Sequence, residues 1–425
     1  MVTVALEDVF TPGGNPDVTY NPRTAQEFEK EIGKFIKNHR GSVLTVSGPS
    51  KSGKTVVIKR FFPEEDVLWI SGADIKNIDD FWKICADHCN VWPDISRKSG
   101  SRVSQTHRVS GNLGAAGVAN IGGDFGGGTE ESGEITESAQ TPLGQALRKE
   151  LNSRNARIVI DDFHYVAEGV REDLIHAIKW LVAGCKVILI AVPQEAFRVM
   201  QVEPEMVGRA WSLPITSWSQ DELAYIAEAG FRALNISDDS GLISEFAKES
   251  RGAPLLMQLL CLEVCEDAGI EETQTTKIPV GAPPQYDTFY RRVANRNVPG
   301  VFSALKAGPR SKGQPRLARN FRSGVTTDIY GAILYGISQM DGDREISTQA
   351  LGRIISAGII DVQPPTLQQI SSALGKMKEI AADNRGKSDA ALDYVDDRLY
   401  IADPFLAFYI SHGSWDYPKP PDFGI

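Results

Sequence analysis

The sequence predicts an α/β domain built on a parallel sheet, with a helical lid, followed by an α+β domain. Three observations carry this prediction. Four apolar runs alternate with helical stretches, which is typical of a parallel sheet covered by helices on both faces. A glycine-rich run directly follows the first of them, and beyond residue 328 the apolar positions recur at helical spacing. The apolar runs lie near 42–47, 67–71, 157–161 and 187–192.

Length and composition describe an ordinary globular chain. Its 425 residues are enough for about two or three domains, and 42% hydrophobic and 24% charged residues are usual values. No apolar run approaches the roughly 20 residues that a membrane helix needs, and the first residues lack the pattern of a signal peptide. We therefore expect a cytoplasmic protein without membrane contact.

The five cysteines are few and odd in number, which argues against a disulfide framework. Cys85 and Cys89, with His88 between them, and Cys261 and Cys265 place thiols four residues apart, on one helix face. That spacing allows either a zinc site or buried structural thiols. The apolar context of both pairs favours buried thiols.

A helix is predicted before the first strand. Thr24 to Glu27 read as a capping box, and the apolar residues that follow share one face. The residues that this helix should bury are Phe28, Ile32, Phe35 and Ile36.

The glycine-rich run reads GPSKSGKT and matches the pattern G-x-x-x-x-G-K-[ST] without a mismatch, between a strand and a helical stretch. In such a P-loop, backbone N–H groups surround the phosphates, the lysine reaches the β- and γ-oxygens, and the hydroxyl ligates Mg²⁺. Lys54 and Thr55 hold these positions. The predicted nucleotide-binding residues of this segment are Gly48, Pro49, Ser50, Lys51, Ser52, Gly53, Lys54, Thr55 and Val56.

A P-loop requires an acidic residue at the end of a second buried strand, and the run ending in Asp161 and Asp162 supplies it. Asp161 is predicted to hold Mg²⁺ together with Thr55, and Asp162 to orient the attacking water. Gln194, after the next strand, is a weaker candidate for contact with the γ-phosphate.

Three features that follow the apolar run at 187–192 point to one family. Arg209 precedes a short strand, Ser219 to Glu222 form a second capping box, and Gly252-Ala253-Pro254 opens an apolar helix. With the P-loop, these features resemble the AAA+ ATPases, specifically their signal-transducing (STAND) and origin-recognition-like branch. The resemblance implies ATP as the nucleotide and Pro254 at the start of the last lid helix. It also implies that Arg23 lies in a segment near the adenine.

The same resemblance implies that Arg209 is a finger directed at the nucleotide of a neighbour in a homo-oligomer; a surface arginine is the alternative. Because Asp162 replaces the glutamate usual in AAA+ motors, we expect slow hydrolysis. The implied function is an oligomeric switch ATPase that couples nucleotide state to a partner or effector protein, in bacteria often in anti-phage defence. The alternative is a nucleic-acid-loading ATPase of the origin-recognition or transposition type.

The C-terminal pattern predicts three helices and then a hairpin that turns at Asp396 and Asp397. This is a winged helix, and it resembles the one that follows the lid in the same branch. Its third helix, about 366–382, could read DNA, but the acidic wing favours a domain that packs on the lid. We expect a P-loop domain at 1–216, a lid at 217–268, a basic linker at 269–327, the winged helix at 328–412 and a tail at 413–425.

Two stretches do not belong to a bare ATPase. Nine basic residues between Arg291 and Arg322 have no Asp or Glu among them, so they fit either nucleic acid or the acidic remainder of this or a neighbouring chain. A glycine-rich insert at about 100–140 is either a flexible linker or an assembly arm. The candidate contacts for nucleic acid or a partner are Lys306, Arg310, Lys312, Arg316, Arg319 and Arg322.

Overall fold

The computed structural model describes residues 3–38, 41–91, 142–191, 208–310, 313, 315–340, 344–360, 363–384 and 390–415. Its N-terminal domain is a five-stranded parallel sheet in the order β2-β3-β4-β1-β5. In the described part of the chain before β5, the helices are α1 (Leu6–Val9), α2 (Phe28–Asn38), α3 (Lys54–Phe61), α4 (Ile78–Cys89), α5 (Pro142–Ser153) and α6 (Glu168–Leu181). The strands are β1 (Val43–Ser47), β2 (Leu68–Ser71), β3 (Arg157–Asp161), β4 (Lys186–Ala191) and β5 (Ala210–Pro214).

Helices cover both faces of this sheet, as the sequence predicted. Side chains alternate between the faces of a strand, so Ile158 and Ile160 pack with α4, α5 and α6, while Val159 packs with α2 and α3. All five residues of β1 are buried because it lies between two neighbours. Its burial on both faces explains why Val43, Leu44 and Val46 are apolar and why the sequence predicts a strand here.

The start of α2 differs from the prediction. Thr24 to Gln26 form a 3₁₀ turn, and Glu27 has a left-handed backbone with φ 53°, so the helix begins at Phe28. The predicted capping box is therefore wrong. The carboxylate that would have capped the helix instead forms an ion pair with Lys30 at 2.6 Å. Phe28, on the buried face, is placed as predicted.

The lid follows β5 and consists of α7 (Gln220–Ala233), α8 (Leu242–Glu249) and α9 (Pro254–Asp267). The second capping box predicted from the sequence begins α7 and is confirmed. The side chains of Ser219 and Glu222 each accept a hydrogen bond from the backbone N–H of the other residue. The N-terminal segment packs against the lid: Phe10 meets Phe231 edge-on, with ring centroids 6.1 Å apart. Strands β6 (Ile236–Asp238) and β7 (Ile278–Val280) pair beside it.

The stretch predicted as a basic linker contains helices α10 (Tyr286–Arg296) and α11 (Phe302–Ala307), then the short strands β8 (Arg319–Asn320) and β9 (Thr326–Thr327). Both helices bury apolar side chains at helical spacing, among them Phe289, Val293 and Leu305. These residues join the core that the lid and the C-terminal domain share.

The C-terminal domain is the predicted winged helix. It comprises α12 (Ile329–Ser338), α13 (Thr348–Gly358), α14 (Leu367–Asp383), α15 (Pro404–His412) and strands β10 (Glu345–Ser347), β11 (Leu392–Val395) and β12 (Arg398–Ile401). The wing turns at Asp396 and Asp397, both with positive φ, as expected for a two-residue hairpin. Helix α15 packs on α10 through Tyr290 and Phe408.

The glycine-rich insert lies outside the described residues. Among the helices that the structure describes, none is long and apolar enough to cross a membrane. All five cysteines are buried, including the two pairs considered for zinc. Burial raises the pKa of the Cys85 thiol well above its usual range and that of Cys185 to about 12.

Candidate nucleotide-binding site

The predicted phosphate loop connects β1 to α3. Gly48 is required there because a Cβ would lie 2.4 Å from the carbonyl oxygen of Ile215. Gly53 precedes α3 with φ 88°, a conformation that side chains rarely adopt. The loop therefore ends at a helix N-terminus, where backbone N–H groups are available to an anion.

Lys54 opens α3 and is buried, with its Nζ donating to the carbonyl oxygens of Gly48 and Pro49 at 3.0 and 2.8 Å. The ammonium group thus lies across the loop to which phosphates are predicted to bind. Its placement supports the role predicted from the motif.

Thr55 and Asp161 are brought together as predicted. The Thr55 hydroxyl donates to Asp161 Oδ2 at 3.0 Å. Burial raises the pKa of Asp161, and hydrogen bonds from Thr55 and from the Asp162 backbone partly oppose that effect. A hydroxyl and a carboxylate are hard oxygen ligands, so this pair fits Mg²⁺. Asp162 follows with a left-handed backbone, φ 52°, and lines a cavity that Thr55 also lines.

A cavity of about 310 Å³ lies between the P-loop, the N-terminal segment and the lid. Ser50 to Val56, Arg23 and Pro254 all line it, so the structure gathers these predicted residues around one space. Other lining residues were absent from the sequence prediction. They include Thr11, Thr19, Tyr20, Phe28, Tyr165, Trp218, Ile226 and Gln258.

Arg23 is the most heavily engaged side chain of this wall. Its guanidinium donates to the carbonyl oxygens of Thr216 and Ser217 at 3.0 Å and to Glu222 at 2.9 Å. It also stacks between the rings of Phe28 and Trp218. Arg23 thereby connects the N-terminal segment to the start of the lid. These contacts give it a structural role in the cavity wall, in the segment that the resemblance places near the adenine.

Glu222, the partner of Arg23, is held in its charged form. Burial acts to raise the pKa of its carboxyl, but hydrogen bonds from Arg23 and from the Ser219 backbone outweigh burial and lower it. The capping box that the sequence predicted therefore has a second role, since its glutamate also anchors the cavity wall.

Trp218 is a site residue that the sequence analysis missed. Its indole Nε1 donates to the backbone oxygen of Ser52 at 2.9 Å, so a residue of the lid entrance holds the P-loop directly. A single tryptophan between a strand and a capping box carries no recognisable signal, and only the folded chain brings it to residue 52.

Three residues that line this cavity each have a buried polar side-chain atom without a hydrogen-bond partner. Among the described residues, the Thr11 hydroxyl, the Ser52 hydroxyl and Arg23 Nε are buried and make no hydrogen bond. All three residues line the cavity. Folded proteins leave few buried polar groups unsatisfied, and these three belong to residues that line one cavity.

The P-loop also contacts the winged helix. Lys51, with φ 61°, forms an ion pair with Asp403 at 2.7 Å, and its ammonium lies 4.5 Å from the centre of the Phe405 ring. Asp403 simultaneously caps α15 by accepting from the Phe405 N–H. The P-loop motif predicts Lys51 as a phosphate ligand and carries no signal for this contact.

Arg209 is exposed at the amino end of β5, where its carbonyl oxygen accepts from Val43. The P-loop follows the carboxyl end of β1, which runs parallel to β5, so Arg209 lies at the opposite edge of the sheet. Its position excludes contact with the chain's own P-loop. Gln194 and Lys312 lie outside the described residues.

The basic residues after the lid are largely used within the chain. Arg292 and Arg296 form ion pairs with Glu263 of the lid, and Arg316 pairs with Asp328 at 2.6 Å. Arg319 is buried and donates to the carbonyl oxygen of residue 363. Lys306 is half-buried, whereas Arg310 and Arg322 are exposed.

No protein-family model and no curated protein matches this sequence. Several solved structures align with most of the chain. Cdc6p from Pyrobaculum aerophilum aligns with a TM-score of 0.44 and 12% identity, over 97% of this chain and 99% of that one. The Walker-type ATPase of Pyrococcus abyssi gives 0.49 and 12%, over 90% and 94%. The ORC2 protein of Aeropyrum pernix gives 0.47 and 13%, over 95% of each chain.

These similarities are distant, and the assignment of the fold rests on the chain's own architecture. The P-loop strand β1 and the acid-bearing strand β3 flank β4, and a helical lid and a winged helix follow the sheet. Together they define a P-loop NTPase fold with a helical lid and a C-terminal winged helix. The fold predicted from the sequence, a parallel P-loop sheet with a helical lid and a winged helix, is confirmed.

Proposed function

We propose that this protein is a slowly hydrolysing ATPase that acts as an oligomeric switch, coupling its nucleotide state to a partner. The P-loop and the Thr55–Asp161 pair beside the cavity support ATP·Mg²⁺ as the ligand. The family resemblance implies a bacterial anti-phage module as the setting, with an effector protein as the partner.

The residues divide the chemistry among them. Lys54 and the P-loop backbone bind the phosphates, and Thr55 and Asp161 would hold Mg²⁺, which neutralises phosphate charge. Asp162 orients the attacking water. Because an aspartate reaches less far than a glutamate, turnover is slow, which suits a switch that must persist in one state.

The contact between Lys51 and Asp403 carries the switch proposal. Both side chains are partly exposed, at 29% and 27%, so the ion pair contributes only about 0.2–1 kcal/mol. The ring of Phe405 adds roughly 0.5–1 kcal/mol. A contact this weak can be displaced by the charge of a triphosphate competing for Lys51. ATP binding would then release α15 from the P-loop.

Hydrogen exchange of residues 404–412, measured with and without ATP·Mg²⁺, tests this coupling. In the wild type, ATP should increase exchange in α15. In Asp403→Asn, exchange should be high without nucleotide, because asparagine keeps the helix cap but removes the charge that holds Lys51.

Asp328→Asn is a matched control. Asp328 also caps a winged-helix helix and pairs with an arginine, but it has no contact with the P-loop among its described partners. The Asp328→Asn variant should show the same hydrogen exchange in α15 as the wild type. The proposal fails if wild-type protein that binds ATP shows the same α15 exchange in both states.

Assembly is tested separately through Arg209. Its exposure at the edge remote from the chain's own P-loop supports a role in a neighbour's site. ATP should raise the mass of the wild type measured by mass photometry, and Arg209→Ala should weaken that effect while binding of ATP is unchanged. Unaltered assembly by this variant would assign Arg209 to the surface.

Loading onto nucleic acid is the second candidate, and the exposure of Arg310 and Arg322 favours it. It predicts that a labelled DNA duplex binds with a steep salt dependence, and that Arg310→Ala with Arg322→Ala reduces the slope. Arg292, Arg296 and Arg316 support the first candidate instead. Their guanidinium groups already form ion pairs with carboxylates of the same chain, which neutralise their charge. Absence of binding at moderate salt would remove the loading candidate.

A further inference from the structure

A second cavity, of about 520 Å³, lies in the C-terminal part of the chain. It is bounded by the segment that precedes the winged helix, by the start of α12 and by the first turns of α14, and it shares no lining residue with the nucleotide-binding cavity. None of the described residues that line it carries a carboxylate. The polar lining residues are Arg316, Arg319, Gln368, Gln369 and Ser372.

Arg319 is a buried member of this set, and its charge is not balanced. The residue is 5% exposed. Its Nη1 donates to the carbonyl oxygen of Gln363 at 2.7 Å and its Nη2 to Gln369 Oε1 at 3.4 Å, and no described carboxylate forms an ion pair with it. Arg316, in contrast, is paired with Asp328. Because a guanidinium stays protonated and buried charges are normally paired, Arg319 leaves a positive charge beside the cavity without a counter-charge.

The Gln369 amide has a determined orientation. Its Oε1 accepts from Arg319 Nη2 and also from the Thr366 backbone N–H at 3.1 Å, so the atom that meets these two donors must be the oxygen. The Nε2 group therefore lies on the other side of the amide, and its hydrogens have no acceptor among the described residues. The exposed side chains of Gln368 and Ser372 also make no hydrogen bond within the described part of the chain. These donors are available to a ligand.

The start of α14 adds to the positive potential of this cavity. Gln368 and Gln369 belong to the first turn of this 17-residue helix, where the helix dipole is positive. A guanidinium charge, a helix N-terminus and available N–H and O–H donors are the groups that bind phosphate oxygens in proteins. Since Arg319 is buried behind exposed side chains, a compact anion that enters the cavity approaches its charge more closely than a phosphate on the convex backbone of a duplex.

We infer that this cavity is a second ligand site, which binds the phosphate group of a small molecule. Gln369 Nε2 and the Ser372 hydroxyl donate to the phosphate oxygens, and Arg319 balances the charge of the anion without having to touch it. Leu317, which lines the same cavity and is 68% exposed, offers apolar surface to the rest of the molecule. The inference assumes nothing about the nucleotide at the P-loop.

Thermal unfolding in inorganic phosphate, compared with chloride of equal ionic strength, tests the inference. In the wild type, occupation of this cavity should raise the midpoint by about 2–4 °C once phosphate is several-fold above its Kd. Gln369→Glu places a carboxylate where Arg319 already donates and keeps a capping-box residue. This variant supplies the missing counter-charge, so it should have a higher midpoint than the wild type in chloride and lose the rise of about 2–4 °C in phosphate.

Gln220→Glu is the matched control. It adds the same charge to the first turn of α7, and Gln220 lines neither cavity. It should keep the phosphate-induced rise of the wild type. Arg319→Met removes the unbalanced charge and should lose the rise as Gln369→Glu does. Phosphate at the P-loop contributes equally to all of these proteins, so the differences between them report the second cavity alone.

A phosphate-induced rise in Gln369→Glu and Arg319→Met equal to that of the wild type would overturn the inference. A wild type that phosphate does not stabilise would overturn it as well. Anisotropy of a labelled DNA duplex separates a small phosphate from a nucleic-acid backbone. Duplex binding that Gln369→Glu abolishes, in a protein that inorganic phosphate does not stabilise, would assign the cavity to nucleic acid instead.

Discussion

Removing the Arg23 side chain should loosen the joint between the N-terminal segment and the lid. The side chains of Arg23 and Glu222 are 3% and 18% exposed. The Arg23 guanidinium donates to two backbone carbonyls, to the Thr216 hydroxyl and to Glu222. Breaking a buried charge pair typically costs about 3–5 kcal/mol, because the remaining charge is stranded. Glu222 keeps the Ser219 N–H as a donor. We therefore expect Arg23→Ala to lower the free energy of unfolding by about 3 kcal/mol.

Substitution of Glu222, the partner of Arg23, should lower the free energy of unfolding by less. Glu222→Gln keeps an oxygen for Arg23 and the residue type of a capping box, so it should cost about 1 kcal/mol. The double variant removes the stranded charge as well, and should be about 1 kcal/mol more stable than Arg23→Ala alone. Such a rescue by a second substitution is specific to a coupled pair.

Thermal unfolding followed by circular dichroism measures these effects as shifts of the apparent midpoint. For a domain of 150–250 residues, about 3 kcal/mol corresponds to roughly 6–12 °C. If the losses of the single variants add in the double variant, Arg23 and Glu222 are not coupled and the reasoning is refuted.

The ion pair between Arg23 and Glu222 makes the free energy of unfolding depend on pH. The folded-state pKa of Glu222 is lower than its unfolded value, so its contribution is fully present above the unfolded pKa, about 4.3, and is lost as pH falls through the folded value. The stability difference between wild type and Glu222→Gln should therefore be constant near pH 7 and diminish only in acid below about pH 4.

Three further predictions concern separate parts of the chain. Asp162→Asn should lower the rate of ATP hydrolysis about 100-fold or more, measured by phosphate release, with little change in ATP affinity, because only the water loses its orienting group. Gly230→Ala should lower the unfolding midpoint by several degrees, since its Cβ would lie 2.2 Å from the Phe10 ring, whereas Gly375→Ala has open space in a helix and should raise the midpoint. The thiol of Cys185, whose pKa burial raises to about 12, should not react with iodoacetamide at pH 8 until the protein unfolds, as mass spectrometry would show; rapid alkylation of the native protein would contradict its burial.

The sequence by itself determined the sheet, the P-loop and the winged helix. Their signals are local. β1 is mostly apolar because it is buried on both faces. GPSKSGKT combines glycines at fixed spacing with the lysine and threonine that phosphate chemistry needs. The wing was readable because two aspartates interrupt alternating apolar residues. The start of α2 was misread, since a capping-box pattern also occurs where a glutamate finds a different partner.

Only the tertiary structure decided which distant residues meet at the site. Trp218 reaches Ser52, and Lys51 reaches Asp403 across 352 positions of sequence. Such pairs depend on how whole domains pack, and neither Trp218 nor Asp403 lies in a local pattern that predicts its partner in the P-loop. The Arg319 guanidinium belongs to the same class, because an arginine becomes informative only when burial leaves it beside a cavity without a carboxylate partner among the described residues. Composition can show that charge is segregated, but the distances that turn charge into a contact arise from folding.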